Sequence, residues 1–453
     1  MGAGNSRRRL VVAGLAAGLA IGVAVGATSL TGASSEGPGG ARPVVLHVAR
    51  VLADPGEALE LSAGLFCPRT EEEVCDIDIA TAHVLSAGAD GWTDVAGEAD
   101  GNGYRFAVPG GLVAKDGLSY WLEFGIEGDT SVRFPDGGAA TPFRVVTTAG
   151  LREVVWPGAF DWASVRRSDG VVARVSYGNG AGQVGRIGGV GDEQPLGPSS
   201  FDVAADGSIH VADWVHGRVL VVSPRGEYRR ALPLPLRRPV DIAAGARGEL
   251  AVTTLGLGAT AFELASDGRV IGRYRVETGV AERVALTPAG PHVWVGPAQW
   301  APVRSRPGVG LPAEAQSRSL ASALPGRDGA VALSQDLTGG RVAFVWARPD
   351  GSRSGAVLRL PSGAQPGVDY FVRGLPDGGA IAARGLWSEA GEAVALLRFA
   401  ADGSLVRAEL IAPPSREMDA TASTVRFRAP DEVLAVYADA HGIRIERFEV
   451  RGI

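Results

Sequence analysis

Ser199–Gly226, SSFDVAADGSIHVADWVHGRVLVVSPRG, decides how the chain is read. It holds three short apolar runs: FDVAA, SIHVAD and RVLVVS. Asp206-Gly207 separates the first two, and Trp214-Val215-His216-Gly217 separates the next two. An Asp-Gly pair between apolar runs signals a hairpin, because both residues tolerate a positive φ. The stretch predicts an antiparallel meander of three or four strands.

The same unit recurs toward the C-terminus. Its first turns fall at Asp169-Gly170, Asp206-Gly207, Arg247-Gly248, Ala289-Gly290, Asp328-Gly329, Asp377-Gly378 and Asp431-Glu432. A second turn follows at Arg225-Gly226, Asp267-Gly268, Asp350-Gly351, Asp402-Gly403 and His441-Gly442. A period of about 40 residues with four strands per unit is the signature of a β-propeller. Each blade buries its faces on its neighbours, and ring closure removes free ends. Residues 150–453 are therefore expected to form a β-propeller of seven blades, with six as the alternative. In the six-bladed case Leu151–Val175 supplies a closing strand.

FDVAADGSIHVADWVHGRVLVVSPRG resembles an NHL repeat, as do VDIAAGARGELAV with AFELASDGRV, and DGGAIAARGLW with ALLRFAADGSLV. The resemblance implies a propeller, commonly six-bladed in that family. It also implies that Asp202 and Asp213 bond backbone groups in turns.

Upstream, residues 43–148 are expected to form a small β-sandwich. The strands fall at Val44–Val51, Ala58–Phe66, Ile77–Ser86, Tyr104–Val108, Leu118–Ile126 and Phe143–Thr147, with Gly, Asp and Pro between. GLSYWLEFGIEGD resembles the late strand of immunoglobulin-like or fibronectin type III-like modules. The fold class is thus all-β, a sandwich followed by a propeller.

The N-terminus reads as an export signal. Arg7, Arg8 and Arg9 precede an unbroken run of small apolar residues from Leu10 to Val25. Residues 1–33 are a signal peptide, cut after Ala27 or Ala33, or an uncleaved membrane anchor. Arg7-Arg8-Arg9 also fits a twin-arginine route. Ser34–Arg42 is a flexible linker. The expected location is secreted or extracytoplasmic. Export makes a Cys67–Cys75 disulfide the expected state of the two cysteines.

Composition narrows the function. The net charge is -6, and Lys115 is the single lysine. No basic stripe exists to displace counterions from nucleic acid. No G-x-S-x-G elbow occurs. Gly180, Gly182 and Gly185 match G-x-G-x-x-G, but no helix follows, so the match reads as a loop between blades.

Trp214, Trp300 and Trp387 are expected in the second-to-third loops of their blades, with His216 beside Trp214. Large rings in turns suit sugar, aromatic-ligand or protein contact. These four residues are the candidate ligand-binding set, and no cofactor is called for.

The enzymatic alternative is a metal-dependent lyase or lactonase at the central opening. Resemblance to gluconolactonase-type propellers implies a divalent cation held by Glu, Asn and Asp, yet Asn179 is the only propeller asparagine. Streptogramin lyase propellers use His with a metal. Here His210, His216, His292 and His441 share no repeat position. The reading is an exported binding or scaffold protein for a glycan, peptide or protein.

Overall fold

The computed structural model describes residues 44–450, except 48, 67–76, 102, 127–129, 136, 158–160, 189–195, 236–237, 255–259, 276–280, 296–298, 304–323, 326–330, 349–351, 415–423 and 430. The export segment, the linker and the Cys67–Cys75 pair lie outside the described residues. Among the described residues no helix is long and apolar enough to cross a membrane.

The C-terminal region is a β-propeller of antiparallel sheets. The first sheet comprises Ser200–Val203, Ile209–Asp213, Arg218–Val222 and Tyr228–Pro233. The second comprises Pro239–Ala244, Leu250–Thr254, Thr260–Leu264 and Val270–Arg275. The third has Ala281–Thr287, Gly290–Val295 and Gln299–Pro302. The fourth has Leu324–Pro325, Val331–Leu337, Arg341–Ala347 and Arg353–Arg359, with Arg152–Val155 added in parallel at its edge. Gln365–Gly374, Ala380–Ser388, Gly391–Phe399 and Leu405–Ile411 make the fifth. The sixth joins Val425–Ala429, Glu432–Asp439 and Gly442–Glu449 to Gly170–Ser176.

The described residues thus hold six propeller sheets where seven units were expected. The surplus unit is the one opened by Asp169-Gly170. Its strand pairs antiparallel with Gly442–Glu449, so the start of the propeller closes its end. Asp169 fastens the joint: its amide donates to Arg447 O at 2.8 Å, and its carboxylate accepts from the Glu449 amide at 2.7 Å.

The Asp-Gly turns have a different geometry from the one expected. Only the glycines take a positive φ; among the described residues Arg238 is the one non-glycine there. In the first turn the Ala204 amide donates to Ser208 O and the Gly207 amide to Ala204 O. The same pair of bonds recurs at Ser223–Glu227, Ala265–Arg269, Leu375–Gly379 and Ala400–Ser404. This is a three-residue loop, a type I turn followed by a left-handed glycine. Aspartate contributes its carboxylate rather than its backbone freedom: Asp206, Asp267, Asp377 and Asp402 each accept the amide two residues on, at 2.9 Å.

Alternate residues of each strand face opposite neighbours. Ile209, Val211, Leu220 and Val222 pack with Leu434, Val436, Ile443 and Ile445 of the sixth sheet. Ala212, Val219 and Val221 pack instead with Ile242, Val252, Phe262 and Leu264 of the second. Similar cores join the second sheet to the third, the fourth to the fifth, and the fifth to the sixth.

The N-terminal region follows one hydrogen-bonded path: Val44–His47, Leu59–Phe66, Gly103–Val108, Thr93–Asp100, Ile77–Ser86, Leu118–Ile126, Phe143–Thr147 and Leu52–Ala53. Thr93–Asp100 bridges two halves of this path. Its residues 93–96 pair with Ile77–Ser86, and 97–100 pair with Gly103–Val108. Leu61, Val84, Phe106, Tyr120, Leu122, Phe124 and Phe143 form the core. Buried His47 sits in it, its Nε2 2.8 Å from the Tyr120 hydroxyl, and burial pushes its pKa down to about 4.

This region docks on the fourth sheet. Val51 and Leu52 cover the face formed by Leu333, Ala343, Val345 and Val357. Gln335 Oε1 accepts the Val51 and Leu52 amides at 2.9 and 3.0 Å, and its Nε2 donates to Leu52 O at 2.5 Å. Arg341 pairs with Asp54 beside it.

Candidate functional site

The inner strands carry the carboxylates that a metal site at the axis would need. Asp202 and Asp241 lie on the first strands of the first and second sheets, two residues apart in register: Asp241 matches Ser200, and Asp202 matches Ala243. Asp202 Oδ2 accepts the Ala244 amide of the next sheet at 2.8 Å, and Asp241 Oδ2 accepts the Val284 amide of the next at 2.9 Å. Each carboxylate therefore stitches one blade to its successor. Arg426 of the sixth sheet crosses to both: Nη2 lies 3.1 Å from Asp241 Oδ1, and Nε 3.8 Å from Asp202 Oδ1. Its Nε also donates to Phe201 O at 2.9 Å. Asp202 thus bonds backbone, as the repeat resemblance implied, but across a blade junction rather than within a turn.

The histidines have separate surroundings. His210 and His292 are buried on second strands. His292 Nδ1 lies 3.1 Å from Gly290 O, and burial lowers its pKa. His216 and His441 occupy second-to-third turns. Among the described residues no group of three or more His, Cys, Asp or Glu has metal-site spacing.

At the second-to-third end of the first sheet, Asp213 organises a cluster. Its carboxylate is fully buried and accepts from Gly185 N at 3.0 Å, His216 Nδ1 at 2.7 Å and Arg218 Nε at 3.0 Å. His216 Nε2 meets Asn179 Oδ1 at 3.1 Å. Arg218 Nη2 donates to Gly180 O and Gln183 O. The cluster pins the loop carrying Gly178, Gly180, Gly182 and Gly185 onto the first sheet.

Trp214 lies half-buried in the same turn. The Arg238 guanidinium carbon stands 5.0 Å over its ring, and Arg238 has φ 68°. A left-handed arginine just before a proline is a strained backbone, of the kind held where the surroundings demand it. The Trp214 indole N–H is buried without an acceptor among the described residues.

The other two tryptophans differ from expectation. Trp300 lies in the strand Gln299–Pro302, opposite Trp294, and Trp387 lies in Ala380–Ser388, opposite Glu392. Neither is a loop residue, because the ladders run almost to the turn. Both nonetheless fall at the second-to-third junction, in the third and fifth sheets. Trp387 is half-buried, and its Nε1 donates to Pro366 O at 3.2 Å within its own sheet. Arg238 and Asn179 were not expected in the site; the signal for Arg238 was its place before Pro239 at a blade junction.

No family and no curated protein matches the sequence. Solved structures do show likeness. A streptogramin B lyase aligns at 15% identity over 55% of this chain and 78% of its own, with a TM-score of 0.29. The Cps50 (Swd1) β-propeller domain of Myceliophteria thermophila aligns at 12% identity over 57% and 98%, TM-score 0.31. A Bacteroides thetaiotaomicron protein of unknown function aligns at 10% identity over 92% and 100%, TM-score 0.32.

Proposed function

We propose that the protein is an exported recognition protein of the cell envelope or extracellular space. Its propeller meets a glycan, peptide or protein at the end bearing the second-to-third turns. The observation that carries this reading is Trp214, a half-exposed indole held under Arg238 by a strained backbone. An aromatic face with a cation beside it suits sugar rings and polar chains. Trp300 and Trp387 stand at the equivalent junction of alternate sheets, and His216 flanks Trp214. NHL-like ancestry of the propeller, immunoglobulin-like ancestry of the N-terminal region, the export signal and the Cys67–Cys75 disulfide belong to the same proposal.

Engagement of Asp202 and Asp241 by backbone amides and Arg426 supports binding over metal-assisted lyase or lactonase chemistry. Those carboxylates already have their donors.

The test is a glycan array and a peptide library screened with the full chain. A hit should weaken at least tenfold with Trp214→Ala and with Arg238→Ala. Binding that ignores both substitutions, or stoichiometric zinc or magnesium together with lactone or streptogramin turnover, would overturn the reading.

A further inference from the structure

The geometry points to a second site, at the opposite end of the first two propeller sheets, for a small anion carrying at least two negative charges. A cleft of about 620 Å³ opens there between the sheets, within the ordinary size range of small-molecule sites. Arg229, Arg230 and Arg247 line it, over a floor that includes Ser208 and His210. Asp206 is the single carboxylate among the lining residues.

A β-bulge puts two of the arginines together. Successive residues of a regular strand point to opposite faces. In the outer strand, Tyr228 pairs with Val222 and Arg230 with Val221, so Arg229 is the extra residue. That bulge lets Arg229 and Arg230 serve one cleft. The same bulge occurs in the second and fifth sheets, where the bulged residue and its successor are Ile271-Gly272 and Val406-Arg407. The first sheet alone of these three sets two guanidinium groups side by side.

The three guanidinium charges outnumber the two carboxylates beside them, Asp206 and Glu249. Arg230 donates through Nη2 to the Ser266 carbonyl, a neutral acceptor that fixes the side chain and leaves its charge. Arg229 is 3.8 Å from Asp206, a loose pair, and Arg247 is 3.3 Å from Glu249 with 77% of its side chain exposed. Asp206 spends Oδ1 on the Ser208 hydroxyl and amide at 2.6 and 2.9 Å. Those two bonds hold its carboxyl below the usual carboxylate range. Each guanidinium has five N–H donors, and most here are uncommitted. Forked donors of this kind match the oxygens of phosphate and carboxylate groups. The shared chemistry is a phosphate ester or a polycarboxylate.

The test titrates the full chain with inorganic phosphate and with citrate, each against chloride of equal ionic strength, by calorimetry. Saturable binding of at least one anion at millimolar concentration or below is expected. The Arg230→Gln/Arg247→Gln double variant should weaken it at least tenfold while the far-UV spectrum and melting temperature stay put. Arg247→Gln alone, at an exposed position, gives the same direction should the double variant misfold. Arg238→Gln, at the other end of the sheets, should leave anion binding unchanged. A phosphate preference assigns a phosphoryl ligand, and a citrate preference a polycarboxylate. Absence of saturation with both anions, or binding undiminished in the double and single variants, overturns the inference.

Discussion

Two interfaces of the propeller solve one problem with different partners. The second sheet meets the third through Ala243, Ala251, Ala261, Val284, Leu286 and Val293, and Asp241 reaches across to cap the Val284 amide. The fourth sheet presents an equivalent alternate face, Leu333, Ala343, Val345 and Val357, but the N-terminal region's Val51 and Leu52 lie on it. There Gln335 plays the part of Asp241, reaching out to cap the Val51 and Leu52 amides. Both interfaces pair a dry apolar patch with one strand side chain that satisfies the neighbour's backbone, because a buried unpaired amide is expensive. The N-terminal region is therefore built into the propeller's packing scheme.

The charged version should be the more sensitive. Asp241 is 1% exposed and also accepts from Ser200 and Arg426. Asp241→Ala strands a largely buried guanidinium as well as the Val284 amide. Breaking such a pair costs about 3–5 kcal/mol. Urea denaturation should show a loss of that order for Asp241→Ala and a smaller one for Asp241→Asn. A loss below about 1 kcal/mol would mean that Asp241 does not stitch the blades.

Gln335→Ala removes a neutral cap and leaves two amides without acceptors, worth about 2–3 kcal/mol together. The decisive readout is hydrogen exchange at Val51 and Leu52, which should accelerate while the Val284 amide stays protected. Unchanged exchange at Val51 and Leu52 would separate the two interfaces and remove the analogy.

The turns of the meander were legible in the sequence because glycine alone enters the left-handed region cheaply. Five of the seven turns separate the first and second strands of a sheet, and Asp328-Gly329 lies outside the described residues. The seventh, Asp169-Gly170, looked identical in sequence, but its carboxylate bonds the distant Glu449 amide and its strand pairs with Gly442–Glu449. Thr93–Asp100 escaped notice because TDVAGEAD is mostly exposed and carries no apolar alternation. In the site, Trp214 and His216 were visible as bulky residues in a turn. Arg426 was not, because its partners Asp202 and Asp241 lie some two hundred positions away. The Arg229-Arg230 pair needed a bulge that no residue type announces.

Closure of the ring offers a finer probe. Gly226 has φ +86°, and a Cβ there would overlap the carbonyl oxygen of Val172 in the closing strand. Gly207 has φ +78° but ordinary space around it. Gly207→Ala should cost about 1 kcal/mol from backbone strain alone. Gly226→Ala should cost about 2 kcal/mol, the excess reporting the approach of the closing strand. Equal melting shifts for the two would mean that the strand yields freely.

The smallest expected effect concerns the junction of the fourth and fifth sheets, where carboxylates are shared rather than spent. Asp336 meets Arg384 at 2.5 Å, and Asp369 lies 3.8 Å from the same guanidinium. Burial raises the Asp336 pKa, Arg384 opposes that, and Asp369 adds to the rise, with a net upward shift. A carboxyl with a raised folded pKa binds its proton more tightly when folded. Its contribution is fully present below the unfolded value, about 3.9, and is lost as pH rises through the folded pKa. Relative to Asp336→Asn, the parent should therefore gain stability as pH falls from 7 toward 4. Because Asp336 is nearly half exposed, solvent screens the gain to less than about 1 kcal/mol. Parallel pH profiles for the parent and Asp336→Asn would show that folding does not tighten the proton on Asp336, and would remove the contrast between a shared and a spent carboxylate.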